Sequence, residues 1–184
     1  TNIFEPVLAK RRGKNADRKI WTNLHGSSAS IAVYHGACRA NTPILFITHD
    51  TPSALKLEQE LHSLNHDQQL AICLFPDWET LPYDTFSPHQ DIISQRLATL
   101  YQLSRMEQGV VIVPITTLAQ RLPPKLYLET NSLIINKGDR KDLHHLRQEL
   151  EASGYRCVDQ VMEHGEFSAR GAIIDLFPMG SNTP

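Results

Sequence analysis

Cysteine is scarce in this chain and poorly placed for chemistry. The three cysteines, Cys38, Cys73 and Cys157, are odd in number and far apart, with no C-x-x-C pair. That spacing excludes a disulfide framework and a cysteine zinc site, and fits reduced thiols in a cytoplasmic protein. An excess of one charge is missing too: 18 Lys and Arg against 20 Asp and Glu give a formal net charge of -2. Such a balance leaves no electrostatic footprint for nucleic acid or anionic lipid. Four cations cluster near the start, Lys10, Arg11, Arg12 and Lys14, and read as a solvated, poorly ordered terminus. No run in the chain approaches the roughly 18 apolar residues that a membrane helix needs. No signal-peptide pattern opens it. The chain begins at Thr1 and closes on the polar stretch Gly180 to Pro184, and so reads as a piece of something longer.

What is present is ordinary globular material. Of 184 residues, 41% are hydrophobic and 21% charged, enough to bury a core in one large domain or two small ones. Helical and extended patterns alternate. A helix is expected from Gly26-Ser27-Ser28 to Ala40, broken by Pro43. Ile44 to Ile47 suits a buried strand. From Thr51 to Asn65, Ala54, Leu57, Leu61 and Leu64 fall on one helical face. Leu70 to Phe75 is strand-like. Ser87, Pro88 and Gln90 form a helix-start signature, and the helix that follows is expected to turn Ile93, Leu97 and Leu100 inward. Val110 to Val113 is the clearest buried strand. Repeated strand–helix units of this kind predict an α/β fold with a parallel sheet covered by helices. Leu122-Pro123-Pro124 marks a boundary, giving a first domain over 1–123 and a small α+β domain over 124–184. In the second domain a strand is expected at Ser132 to Asn136. A helix carrying Leu143, Leu146 and Leu150 follows, then extended stretches at Tyr155 to Val161 and Phe167 to Phe177.

The turn at Gly26-Ser27-Ser28 sits where a phosphate loop would sit. A working loop reads G-x-x-x-x-G-K-[ST], its glycines freeing backbone N–H groups for phosphate and its lysine supplying counter-charge. With Ser30 at the hydroxyl position, Ala29 occupies the lysine place, Ser28 the second glycine and Asn23 the first. Gly26, Ser27, Ser28, Ala29 and Ser30 therefore read as a degenerate nucleotide site, a helix N-terminus without a nucleotide. No hydrophobic run ends in the paired acids of a magnesium-dependent hydrolase. Asp77, Glu79 and Asp84 interleave with Trp78, Leu81, Tyr83 and Phe86. That alternation favours a structural loop with buried aromatics and solvated acids over a general acid–base pair. His62 and His66 have ligand spacing but no third partner, and His144 and His145 are adjacent, so no metal site is expected. Arg170 stands beside Gly171 at the start of an apolar run. It can anchor an acidic partner through forked hydrogen bonds, or it can form a surface ion pair within the chain. The residues alone leave these two readings even.

Two stretches, FPDWETLPYDTFSPHQDIISQRLATLYQL (Phe75 to Leu103) and VDQVMEHGEFSARGAIIDLFPMGS (Val158 to Ser181), closely resemble the N-terminal region of the bacterial transcription-repair coupling factors. Less closely, they resemble the UvrB protein of the bacterial excinuclease. The resemblance runs from about Ile20 to the end. It implies a helicase-like but degenerate NTPase domain followed by part of a small α+β domain that docks the excinuclease protein UvrA. It also implies a full-length parent that is an ATP- and magnesium-dependent DNA translocase displacing stalled RNA polymerase from double-stranded DNA. No cofactor is expected for the present stretch. Arg170 and Gly171 match an F-x-x-R-G docking pattern of UvrB, with Phe167 as an apolar neighbour; Ser168 stands where that pattern has a second arginine. The competing expectations are a nucleotide-binding or helicase domain, opposed by Ala29, and a direct DNA-binding module, opposed by the near-neutral charge.

Overall fold

A computed structural model describes residues 2–9, 11–12, 15–16, 18–80, 84–124, 128, 135, 137–181 and 183–184. The strand expected at Ser132 to Asn136 lies almost wholly outside these residues. The chain divides into two compact units, each built from two stretches of sequence. The first is Thr1–Asp77 with Arg105–Gln120, and the second is Trp78–Ser104 with Arg121–Pro184. Residues 78–104 thus join the second unit although they lie upstream of the boundary drawn at 123/124. Among the described residues, no helix is long and apolar enough to cross a membrane.

The first unit opens with a short antiparallel ladder, β1 (Arg11–Arg12) against β2 (Asn15–Ala16), where the basic lead was expected to be unstructured. It continues with α1 (Ser28–Arg39), β3 (Ile44–Thr48), α2 (Thr51–Leu64) and β4 (Ala71–Leu74). The second unit interposes α3 (Gln90–Leu103). The first then resumes with β5 (Gly109–Pro114) and α4 (Ile115–Leu118).

Its sheet is parallel with order β3-β5-β4. Central β5 is buried along its whole length, as its unbroken Val and Ile run requires. Val110 and Ile112 meet Val33 and Ala37 of α1 and Ala54, Leu57 and Leu61 of α2 in one core. Edge strand β3 departs from its expected burial. Successive side chains point to opposite faces, so Ile44 and Phe46 pack toward the helices while Leu45 and Ile47 are 53% and 46% exposed. Asp50 starts α2 by accepting a hydrogen bond from the Ser53 N–H at 2.8 Å. Its hydrogen bonds from Ser53 hold the Asp50 carboxyl below its ordinary range. A glycine is required at Gly109, where φ is +152° and a Cβ would run into the Ala71 carbonyl.

The second unit joins α3 to α5 (Leu143–Ala152), β6 (Arg156–Cys157), β7 (Glu166–Arg170) and β8 (Ile173–Phe177). β6 runs parallel to β7, and β7 and β8 form an antiparallel hairpin. The extended stretch expected from Tyr155 to Val161 is therefore a strand only at Arg156–Cys157, and the one expected from Phe167 to Phe177 is folded back on itself. Asp142 caps α5 by accepting from the His145 N–H at 2.9 Å. The helix ends in a Schellman motif: Gly154 has φ +88°, its N–H reaches the Glu151 carbonyl, and the Tyr155 N–H reaches the Leu150 carbonyl. Leu146, Leu150 and Phe167 form the core of this unit, flanked by Tyr155, Ile174 and Leu176.

Helix α3 differs from its sequence reading twice. It begins at Gln90, with His89 as N-cap in extended conformation, so Ser87 and Pro88 lie outside the helix. Its buried side chains are Ser94, Arg96 and Thr99, whereas Ile93, Leu97 and Leu100 are half-buried. Helical spacing identifies a face; it does not say that the buried face is the apolar one. Here the polar face is satisfied from within the unit. The Gly180 N–H donates to Ser94 Oγ at 2.7 Å, and the Arg96 guanidinium lies 4.0 Å above the Trp78 ring.

Candidate functional site

Two places carry the residues singled out in the sequence, and they are built in opposite ways. The first is the β7–β8 hairpin. Arg170 pairs with Ile173 across the ladder, so Gly171 and Ala172 make a two-residue turn. The positive φ of Gly171, +59°, is what a tight hairpin turn demands at that position. The space around Gly171 is open, with nothing within 4 Å of where a Cβ would stand. Arg170 Nη2 reaches Asp175 Oδ2 at 2.7 Å, with side chains 68% and 46% exposed. The intramolecular ion pair is therefore present. It engages one nitrogen of a group that carries five N–H donors.

Strand parity sorts the hairpin's residues. Glu166, Ser168 and Arg170 lie on one face of β7, and Phe167 lies on the other. Phe167 is fully buried against Leu146 and Leu150. This corrects its expected place in a docking patch, because an odd-numbered residue of this strand cannot share a surface with Arg170. Ser168 is also buried, donating to the Asp159 carbonyl at 3.2 Å. The face opposite α5 instead presents Arg156, a residue the sequence reading passed over. The register sets Arg156 beside Glu166, and its guanidinium bonds Glu163 and Glu166 at 3.0 and 3.1 Å. Glu166 further accepts from the Met162 and Glu163 N–H groups, which, with Arg156, hold its carboxyl below the ordinary range. Nothing in the spacing of Arg156, Glu163 and Glu166 announces this cluster; the parallel β6–β7 pairing creates it.

The second place is the N-terminus of α1. Gly26, at φ +57°, and Ser27 lead into the helix, and Ser27 makes no side-chain cap. A cavity of about 320 Å³ opens there, lined among others by Ala29, Ser30, His49, Lys56 and Glu60. Glu60 of α2 reaches this helix N-terminus. Its carboxylate accepts from Ser27 Oγ at 3.1 Å and from Ser30 Oγ, and lies 3.9 Å from Lys56 Nζ. Ser28 turns away and donates to the His25 carbonyl at 2.6 Å. A helix N-terminus attracts negative charge, and here that charge belongs to the protein.

The loop acids differ in their surroundings. Asp77 is half-buried, accepting from Gln120 Nε2 at 2.7 Å and from Thr116 Oγ1 of α4 at 3.2 Å, and so is tied to the chain where a solvated acid was expected. Glu79 and Asp84 are exposed. Trp78 is half-buried, but Phe86 is 77% exposed, so the expected burial of the loop's aromatics fails at Phe86. Leu81 and Tyr83 lie outside the described residues. His66 falls past the end of α2, which removes its helical spacing from His62. Among the described residues, no group of three or more His, Cys, Asp or Glu side chains is placed to hold a metal ion. Cys73 is buried, and burial pushes its thiol up, away from nucleophile chemistry.

A family model for the UvrB interaction domain matches residues 133–184. Over all of its length the chain is 48% identical to a transcription-repair-coupling factor of Haemophilus influenzae, covering 16% of that protein. It is 46% identical to the Escherichia coli factor over 93% of the chain and 15% of the factor. It is 30% identical to the Bacillus subtilis factor over 90% of the chain and 14% of the factor. The chain thus spans less than a fifth of the length of these relatives.

Proposed function

The chain belongs to the transcription-repair-coupling-factor family as a segment of one of its members, and on that premise we propose that it is a docking module without catalysis of its own. Its partner is the excinuclease protein UvrA, brought to lesions where RNA polymerase has stalled. The parent is an ATP-dependent translocase that acts on double-stranded DNA and displaces the polymerase. The observation that carries the reading is the open hairpin tip at Arg170 and Gly171, inside the stretch that matches the UvrB interaction domain. There a guanidinium stands beside a residue with no side chain to obstruct an approaching backbone. An acidic group on the partner takes the donors that Asp175 leaves open, with fork geometry that lysine cannot copy. Arg156 lies on the same sheet face, its guanidinium committed to Glu163 and Glu166.

Surface plasmon resonance against purified UvrA tests the assignment. Arg170→Ala weakens binding by about 2–5 kcal/mol, because the carboxylate on UvrA is left desolvated and unpaired. Arg170→Lys recovers only part of that. Unchanged binding by a folded Arg170→Ala chain overturns the assignment.

The helicase-like first unit is, in this reading, a nucleotide fold that no longer takes nucleotide. Ala29 removes the counter-charge, and Glu60 adds a charge of the wrong sign where phosphate would lie. Calorimetry with ATP and magnesium is expected to give no binding in the low micromolar range. A saturable heat there would restore the nucleotide-binding alternative.

A further inference from the structure

His164, in the loop between β6 and β7, sits between two groups that can only accept hydrogen bonds in their ordinary states. Its Nδ1 lies 2.8 Å from Asp91 Oδ1, in the first turn of α3, and its Nε2 lies 2.7 Å from the Ser181 carbonyl. The ring is 14% exposed and lies tilted at 37° against Phe177 at a centroid distance of 4.0 Å. A neutral imidazole has one N–H and one lone pair. In either tautomer, the lone pair would face a carboxylate oxygen or a carbonyl oxygen at hydrogen-bond distance. Only the ring with hydrogen on both nitrogens satisfies both contacts.

What this ring holds is a strap. The residues after β8 cross back over α3: the Gly180 N–H donates to Ser94 Oγ, a Cβ at Gly180 would stand 3.3 Å from Ala98, and the Met179 N–H donates to the Tyr155 hydroxyl at 3.0 Å. We propose that His164 is a proton-dependent latch that ties this strap to the first turn of α3 while both ring nitrogens carry hydrogen and releases it when one proton leaves to solvent. Among the described residues, Asp91 is the charged group bonded to the ring. From α3 comes Asp91, whose second oxygen lies 3.3 Å from His89 Nδ1. From its own loop comes Glu163, committed to Arg156, with Glu166 beyond it. β8 contributes the uncharged Phe177, and the strap a carbonyl. The direction follows from the contacts: the link is present while both ring nitrogens carry hydrogen and is lost when either gives its proton up.

The test uses the full chain with labelled histidine. Long-range proton–nitrogen spectra read each ring nitrogen, and amide exchange at Gly180 and Met179, corrected for the intrinsic rate at each pH, reads the strap. Both nitrogens of His164 are expected to carry hydrogen while Gly180 is protected. Protection then falls by about tenfold, the scale of one charge-assisted hydrogen bond, in step with the loss of one ring proton. His164→Ala is expected to show the low protection at every pH. Asp91→Asn supplies an amide that donates to Nδ1, so the neutral ring keeps Ser181 and protection no longer follows the titration. A wild-type ring with one hydrogen alongside full protection overturns the latch. So does wild-type protection in His164→Ala, or unchanged pH dependence in Asp91→Asn.

Discussion

The α1 N-terminus and the β7–β8 hairpin each pair a side chain suited to binding with a partner from the same chain, yet the pairings do different things. At α1 the Glu60 carboxylate takes two hydroxyl donors, one of them from Ser30, which is 3% exposed. Both oxygens are engaged, and of the two donors the Ser30 hydroxyl is buried while Ser27 is exposed. At the hairpin, Asp175 takes one nitrogen of an arginine that stays in solvent. The first arrangement ties a buried hydroxyl to a carboxylate of the chain, and the second leaves an arginine in solvent. Exposure decides the difference, because solvent competes for every remaining donor at the hairpin and is kept from the Ser30 hydroxyl at α1.

Substitutions can break or sharpen that contrast. The largest effect is expected beneath the hairpin: Phe167→Ala empties the core against Leu146 and Leu150 and lowers stability by about 3–5 kcal/mol in chemical denaturation. A folded Phe167→Ala chain with unchanged stability and lost docking would return Phe167 to the interface. At α1, Glu60→Ala strands the Ser30 hydroxyl and is expected to cost about 1–3 kcal/mol, measured the same way. A loss no greater than that of an exposed ion pair would mean that Glu60 does not hold the Ser30 hydroxyl. The smallest effect belongs to Arg170→Ala, which removes an exposed pair and shifts the unfolding free energy by about 1 kcal/mol or less. A large loss there would make Arg170 a structural residue and its effect on docking indirect.

The interior of the first unit was legible from residue order because its signals are local. The unbroken Val110 to Val113 run, the spacing of Ala54, Leu57 and Leu61, and Pro43 after α1 each act within a few residues, and the structure follows them. Local signals misled where burial comes from distant chain. Phe86 and Ile47 are apolar yet exposed, and Ser94 and Arg96 are polar yet buried. Hydrophobicity records what a side chain favours; it does not record what covers it.

For the candidate site, the sequence alone determined that an alanine, not a lysine, precedes Ser30 at position 29 and that an arginine precedes a glycine at 170 and 171. Those are facts of residue type, and they bound the chemistry before any folding. Only the tertiary structure decided that Glu60 reaches Ser27 and Ser30 across the long intervening stretch of chain. It likewise decided that Phe167 turns inward and that Arg156 shares the face of Arg170. The reason is geometric. Strand parity and register assign a side chain to a face only once neighbouring strands are paired, and a carboxylate finds its donors only once two helices are packed. Neither pairing nor packing is carried by the order of residues within any one segment.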